Sequence, residues 1–494
     1  MSSTLFELIQ SLSPTEKAYF KKFYQKYGKT ASNKYVRFFD ILAKMKVYEK
    51  EKMTLLLKKN KLATNFSATQ NYLYNAILDT FQPIINKQDE ENKLLQEIAK
   101  IRFLLDKKLY SHCTKRIIRL KKTAYELQEF ECLLKILKIE INITYYASKE
   151  VSERRKLLKE CEIIEHYLQN ETQAFLLLCQ AEDVLFDAGL AAQKDYPQLL
   201  DELQAKLVQL ASEPYLSVQT VYYLQHGLSD VFVAKKEYAN AFYPIERILK
   251  TFDKHPKLKI SKLNHYIQTI INYCNRMVSA ELCNSLDDLK YISSVIKNLA
   301  KKTTIPEVEN QYIAATLSHV KYAIYLAQHD IPKAMEMAEI IEACPIPMQR
   351  NKALYLLYNY EFAQVHFYAK KWHECTTYLY NILNDENRQL FPDVYLFTRI
   401  LYLLVLTETE EIELFYAQYD SLRKAIAKAP HKAILEESLA KMLYRYNKII
   451  NKKERTLFLK EYIQELHEIE KQVPTSFMFF KIYHWIEEKT QHIH

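Results

Sequence analysis

The sequence predicts an all-α fold, and three observations predict it. Only three of the 494 residues are glycine, Gly28, Gly189 and Gly227. Tight β-hairpins and strand-to-helix phosphate loops need positive φ, which glycine supplies most cheaply. The chain is instead rich in Leu, Lys, Glu and Ile, which suit helices, and in tyrosine, with 38 copies. Finally, from about residue 90 apolar residues recur at helical spacing almost to the C-terminus, interrupted by breaks only a few residues long.

The first elements are short and basic. Residues 1–61 hold fourteen Lys or Arg against five Asp or Glu, which accounts for the whole net charge of +9. That asymmetry marks residues 1–90 as a basic N-terminal helical module, apart from residues 91–494. Ser13-Pro14-Thr15-Glu16 is a helix start: Ser13 caps, Pro14 suits the first position and Glu16 reaches back. Along the next helix Tyr19, Phe20, Phe23, Tyr24 and Tyr27 share one side, Lys17, Lys21, Lys22 and Lys26 flank the other, and Gly28 ends it. Helices follow at about 34–46, 49–60 and 67–85, the last opening at Ser67-x-x-Gln70 with Pro83 near its end. The polar run NKQDEEN at 86–92 is the expected boundary.

Lys17, Lys21, Lys22 and Lys26 are candidate contacts for phosphates of a nucleic acid or for another acidic surface. The helices at 49–60 and 67–85 would then be compared with a helix-turn-helix. The intervening KLATNF lacks a turn glycine, however, and the second helix carries Asn, Tyr and Gln but no Arg. A solvated lysine face that keeps the protein soluble carries equal weight.

Beyond residue 91, breaks such as DKHPK at 253–257, KKTTIP at 301–306, CPIP at 344–347 and NDEN at 384–387 join antiparallel helical hairpins. Three segments repeat: FVAKKEYANAFYPIERIL at 232–249, YLAQHDIPKAMEMAEII at 325–341 and FYAKKWHECTTYLYNIL at 367–383. They align on Tyr238, Ile331 and Trp372. Three residues on stand Ala241, Ala334 and Cys375; seven on, Ile245, Ala338 and Leu379; ten on, Ile248, Ile341 and Ile382. Tyr110, Cys113, Ile117 and Leu120 make a fourth copy, and Tyr196, Leu199 and Leu203 a degenerate fifth. These offsets trace one stripe of a helix. A small residue at the second position lets two helices of a hairpin touch just after their turn.

The pattern resembles the tetratricopeptide repeat, whose second helix opens with an aromatic followed three residues later by alanine. Before Tyr238, Leu228, Ser229 and Phe232 match positions of that family's first helix, and Phe362, Ala363 and His366 match them partly before Trp372. The family's glycine before the turn is replaced by Lys236, His329 and Lys370. The anchors Tyr110, Tyr238, Ile331 and Trp372 are unevenly spaced where about 34 residues is usual, so a strict repeat count does not follow. The resemblance implies a tetratricopeptide-like α-α superhelix over residues 91–494. Its concave face would take a peptide or helical segment of a protein partner, without catalysis.

Other signals are weak. Nucleotide loops need clustered glycines, and no two of these lie within thirty residues. His373-Glu374 starts like a zinc-protease motif, but Thr377 stands where the second ligand belongs. His492 and His494 belong to the tail, and Cys274 and Cys283 share no helical face. No catalytic, metal or cofactor residue is assigned. Eight cysteines without a C-x-x-C pair suit a reduced compartment, and MSSTLFELIQ lacks the pattern of a signal peptide. VYLFTRILYLLVL at 394–406, interrupted by Arg399, is too short to span a bilayer and reads as a buried helix. A cytoplasmic protein is expected.

Overall fold

The computed structural model describes residues 2–27, 32–45, 66–146, 151–186, 196–282, 285–303, 305–344, 352–386, 388, 392–428, 433–472, 480 and 482–491. They form 23 α-helices, with a 3-10 turn at Leu286–Leu289 and no strand among the described residues. The helix expected at 49–60 lies outside them. The chain divides into two compact units, Met1–Cys161 and Glu162–His494, the division falling within the 36-residue helix Val151–Phe186.

In the first unit the capping box forms. Ser13 N donates to Glu16 Oε2 at 2.7 Å, and Glu16 N donates to Ser13 Oγ at 3.2 Å. Helices Ser2–Ser11, Pro14–Tyr27, Ser32–Lys44 and Phe66–Gln88 close around a core of their own: Leu5, Ile9, Phe20, Phe38, Phe39, Leu42, Leu73 and Ile77. The polar run at 86–92 breaks the helix for one residue only. Asp89 caps the next helix, Glu90–Asp106, by accepting from Glu91 N at 3.0 Å. Helices Tyr110–Glu126 and Phe130–Tyr146 follow. Lys121 ties them to the next helix, reaching Glu140 at 3.0 Å and Glu160 at 2.9 Å.

The second unit has successive cores rather than one centre. Helix Val218–Ala234 gives Leu224, Leu228 and Val231 to a cluster with Leu203 and Leu207, and Val218 and Tyr222 to the next cluster, with Ile245 and Ile270. Helix Glu307–Ala327 belongs both to that second cluster and, through Tyr322, to a third with Ala334 and Phe362. Helix Lys352–Tyr368 joins the third to a fourth, which runs on to Ile486. Each such helix buries opposite faces against two neighbours, which is why it is apolar nearly all round. Gly227 sits where three helices crowd: a Cβ there would lie 3.1 Å from Leu207 Cδ2 and 3.6 Å from Leu178 Cα.

Six helix pairs follow one another from Val218 to Gln472, each a first helix, a bend and a second helix. The expected 394–406 segment lies in helix Pro392–Glu408, which is buried from Val394 to Thr407 except at Tyr395 and Arg399. No helix among the described residues is long and apolar enough to cross a membrane.

Candidate interaction face

The hairpins share one bend. Lys108, Gln128, Lys236, Glu281, His329, Lys370 and Glu410 all adopt positive φ, between 51° and 61°. At Lys236 the two closing bonds are Lys236 N to Val233 O at 2.9 Å and Glu237 N to Phe232 O at 2.8 Å. This paired bonding satisfies carbonyls that a helix end leaves open. It recurs at Lys108, Gln128, Glu281, His329 and Lys370. The residues standing in for glycine therefore carry the left-handed conformation themselves.

Just past the bend the two helices meet. Ala241, Ala334, Cys375 and Cys113 are fully buried, as are Ile245, Ile248, Ile341, Leu379, Ile382 and Ile117. Tyr238, Ile331, Trp372 and Tyr110 are half-buried. Across the hairpin Ser229 Oγ donates to Ala241 O at 2.8 Å, and the Cys113 thiol points to Ile101 O at 3.7 Å, the same twelve-residue separation. The degenerate copy is corrected: Leu199 is exposed, and the buried stripe of Tyr196–Ala211 runs through Leu200, Leu203, Leu207 and Leu210.

A row of polar side chains joins successive first helices. Ten residues before their bends stand His226 and His319; nine before the next bends stand Asn272 and Glu361. His226 Nδ1 lies 3.3 Å from Asn272 Nδ2, and His319 Nε2 lies 2.9 Å from Glu361 Oε1. Arg276 adds a bridge to the first pair, donating from Nε to Ser229 Oγ at 2.9 Å and from Nη2 to Asp230 Oδ1 at 2.7 Å. Burial, helped by the Arg276 charge, lowers the His226 pKa to about 3 and keeps the ring neutral. Burial also pushes the Asp230 carboxyl up, outweighing its arginine partner. His226 Nε2, His319 Nδ1, Tyr358 OH and Glu361 Oε2 are buried without a hydrogen-bond partner among the described residues.

Other polar contacts lie outside this row. Lys236 Nζ pairs with Asp393 Oδ2 at 2.9 Å, 157 residues on. Arg399 lies 4.9 Å from the Tyr395 ring and donates to Tyr395 OH at 2.6 Å and to Ser421 Oγ at 2.9 Å. The C-terminal helix Ile482–Gln491 packs against the bends themselves, with His484 stacked on His329 at 4.7 Å and Glu488 paired with Lys370.

The N-terminal lysines have differing surroundings where they are described. Lys21 pairs with Asp40 at 3.0 Å, Lys17 is half-buried, Lys22 is exposed, and the Lys26 side chain lies outside the described residues. Phe20 is buried, and Tyr24 OH donates to Tyr72 OH at 2.7 Å. His373 stands exposed at the start of Trp372–Leu383.

Sequence reasoning passed over His226, Asp230, Arg276, His319 and Glu361. A signal was present, since His226 and His319 each stand twelve residues before an aligned anchor, Tyr238 and Ile331. No protein-family model matches the chain, and no curated protein or solved structure matches it either.

Proposed function

We propose that this protein is a non-enzymatic interaction scaffold: a tetratricopeptide-like array whose first helices bind a peptide or helical segment of a partner protein on a concave face. One observation supports this above the others. The first helices carry, nine or ten residues before their bends, buried polar groups joined between neighbours, His226 with Asn272 and His319 with Glu361. Such bridges hold successive first helices in a fixed register, so that together they offer one continuous surface to an extended or helical ligand. Nucleic-acid contact through the N-terminal module is the weaker reading, because Lys21 already has an acidic partner.

A phage-displayed peptide selection on the full chain, followed by hydrogen exchange, tests the proposal. Selected peptides should slow exchange in Val218–Ala234, Leu263–Ser279 and Glu307–Ala327. They should lose at least tenfold in affinity to His319→Ala. Protection confined to the second helices, or no selected binder, would remove the reading.

A further inference from the structure

The C-terminal helix shows what one part of this array receives. Ile482–Gln491 is ten residues long, below the length at which an isolated helix holds itself together in water. Its order therefore comes from docking. Ile482, Trp485 and Ile486 point inward at helical spacing and are almost fully buried, as is Phe480 ahead of them.

Its contacts fall on the bends of three consecutive hairpins. At the first bend His484 stacks on His329, with ring centroids 4.7 Å apart. At the second, Phe480 stacks on Tyr368 and meets Phe367 edge-on, both at 5.9 Å, while Glu488 pairs with Lys370. At the third, Glu408 is shared: Oε1 accepts from Trp485 Nε1 at 2.8 Å, and Oε2 pairs with Lys489 at 2.7 Å. Trp485 also meets Tyr446 at 5.5 Å, and Tyr483 OH donates to Glu470 Oε2 at 2.9 Å. The surface is thus an apolar trough of Phe367, Tyr368 and Tyr446 with a carboxylate at one place and an ammonium at another.

We propose that these three bends form an acceptor for an amphipathic helix with the spacing Ile-x-x-Trp-Ile-x-x-Lys, and that a partner helix of this chemistry exchanges with the chain's own C-terminal helix. The inference rests on the scaffold reading above and adds the partner's chemistry and its competitor. Charge complementarity fixes the occupant: Glu408 asks for an indole N–H and a cation, and Lys370 asks for an acid one residue before that cation. Tethering gives the resident helix a high effective concentration, so a free competitor meets a largely filled surface.

The test uses the full chain and a fluorescent synthetic peptide spanning residues 480–494. Trp485→Ala/Ile486→Ala in the chain weakens the resident helix and leaves the acceptor intact. The labelled peptide should bind this variant at least tenfold more tightly than the unaltered chain, and adding Glu408→Gln should abolish the gain. Lys489→Glu sets a like charge against Glu408 at a partly exposed position. It should raise peptide binding several-fold even if the double variant folds poorly. No gain in a folded Lys489→Glu variant would overturn the proposal and make the helix a fixed part of the core. If selected peptides protect the first helices while the C-terminal peptide never binds, the scaffold reading stands and this inference falls. If only the C-terminal peptide exchanges, the inference stands and the peptide face around His226 and His319 falls.

Discussion

The hairpins Val218–Lys254 and Glu307–Glu342 place a buried histidine at the same step before their bends, yet give it different company. His226 meets an amide, Asn272, with the Arg276–Asp230 pair beside it; His319 meets a carboxylate, Glu361. The stacking fixes where a polar side chain crosses between neighbours, and the chemistry placed there is free to vary. One crossing is a neutral bond beside an ion pair. The other carries the acid itself.

The largest test of this difference removes each histidine. His319→Leu strands a largely buried carboxylate and should cost about 3–5 kcal/mol of unfolding free energy. His226→Leu loses one hydrogen bond of 3.3 Å and should cost about 1 kcal/mol. Urea melts of both variants check it, and equal losses would erase the distinction.

What the two hairpins share comes next. Ala241→Leu and Ala334→Leu overfill fully buried contact points, so each should destabilise by about 2–3 kcal/mol with similar size. A loss at one and none at the other, read by thermal melting, would mean the two crossings are not built alike.

Acid should then separate them. The folded pKa of His226, about 3, lies below the ordinary value of roughly 6.5, so on acidification the unfolded chain takes the proton first. Stability from this group is complete above about pH 6.5 and is lost as pH falls toward 3, by about 2 kcal/mol between pH 7 and pH 5. Asp230 acts in the opposite sense: its raised pKa makes the folded state take up a proton earlier, which offsets part of the loss. His226→Asn should therefore flatten the fall in urea midpoint between pH 7 and pH 5. An unchanged slope would assign the acid sensitivity elsewhere.

The smallest effect is at the bends. Lys108→Gly relieves a left-handed lysine and should stabilise by about 0.5–1 kcal/mol. Lys236→Gly should gain less, because it also drops the pair with Asp393. Differential calorimetry of the two variants gives the order, and a larger gain at Lys236 would make that ion pair a burden.

Helicity and the hairpin stripe were legible because Ala241, Ala334, Cys375 and Cys113 are small for a local reason: two rods touch there. Other hairpins were not legible from that stripe. After Ile412 the matching position is Phe415, buried but bulky, and after Phe130 it is Leu133. The Leu263–Lys302 pair resumes through a 3-10 turn, so no anchor follows its bend at Glu281. The polar row was half legible. His226 and His319 recur at one step, but Asn272 and Glu361 come from the next hairpin and are paired only by stacking. The contacts of Trp485 and Lys489 with Glu408, about eighty residues away, leave no local trace.

A chain whose described hairpin bends stand on lysine, histidine, glutamine and glutamate instead of glycine keeps a side chain at each of those corners. Those corners touch things: Lys236 reaches Asp393, His329 faces His484, and Lys370 holds Glu488. Local conformational strain is thus exchanged for an edge that can be rewritten one residue at a time, without disturbing the helices on either side.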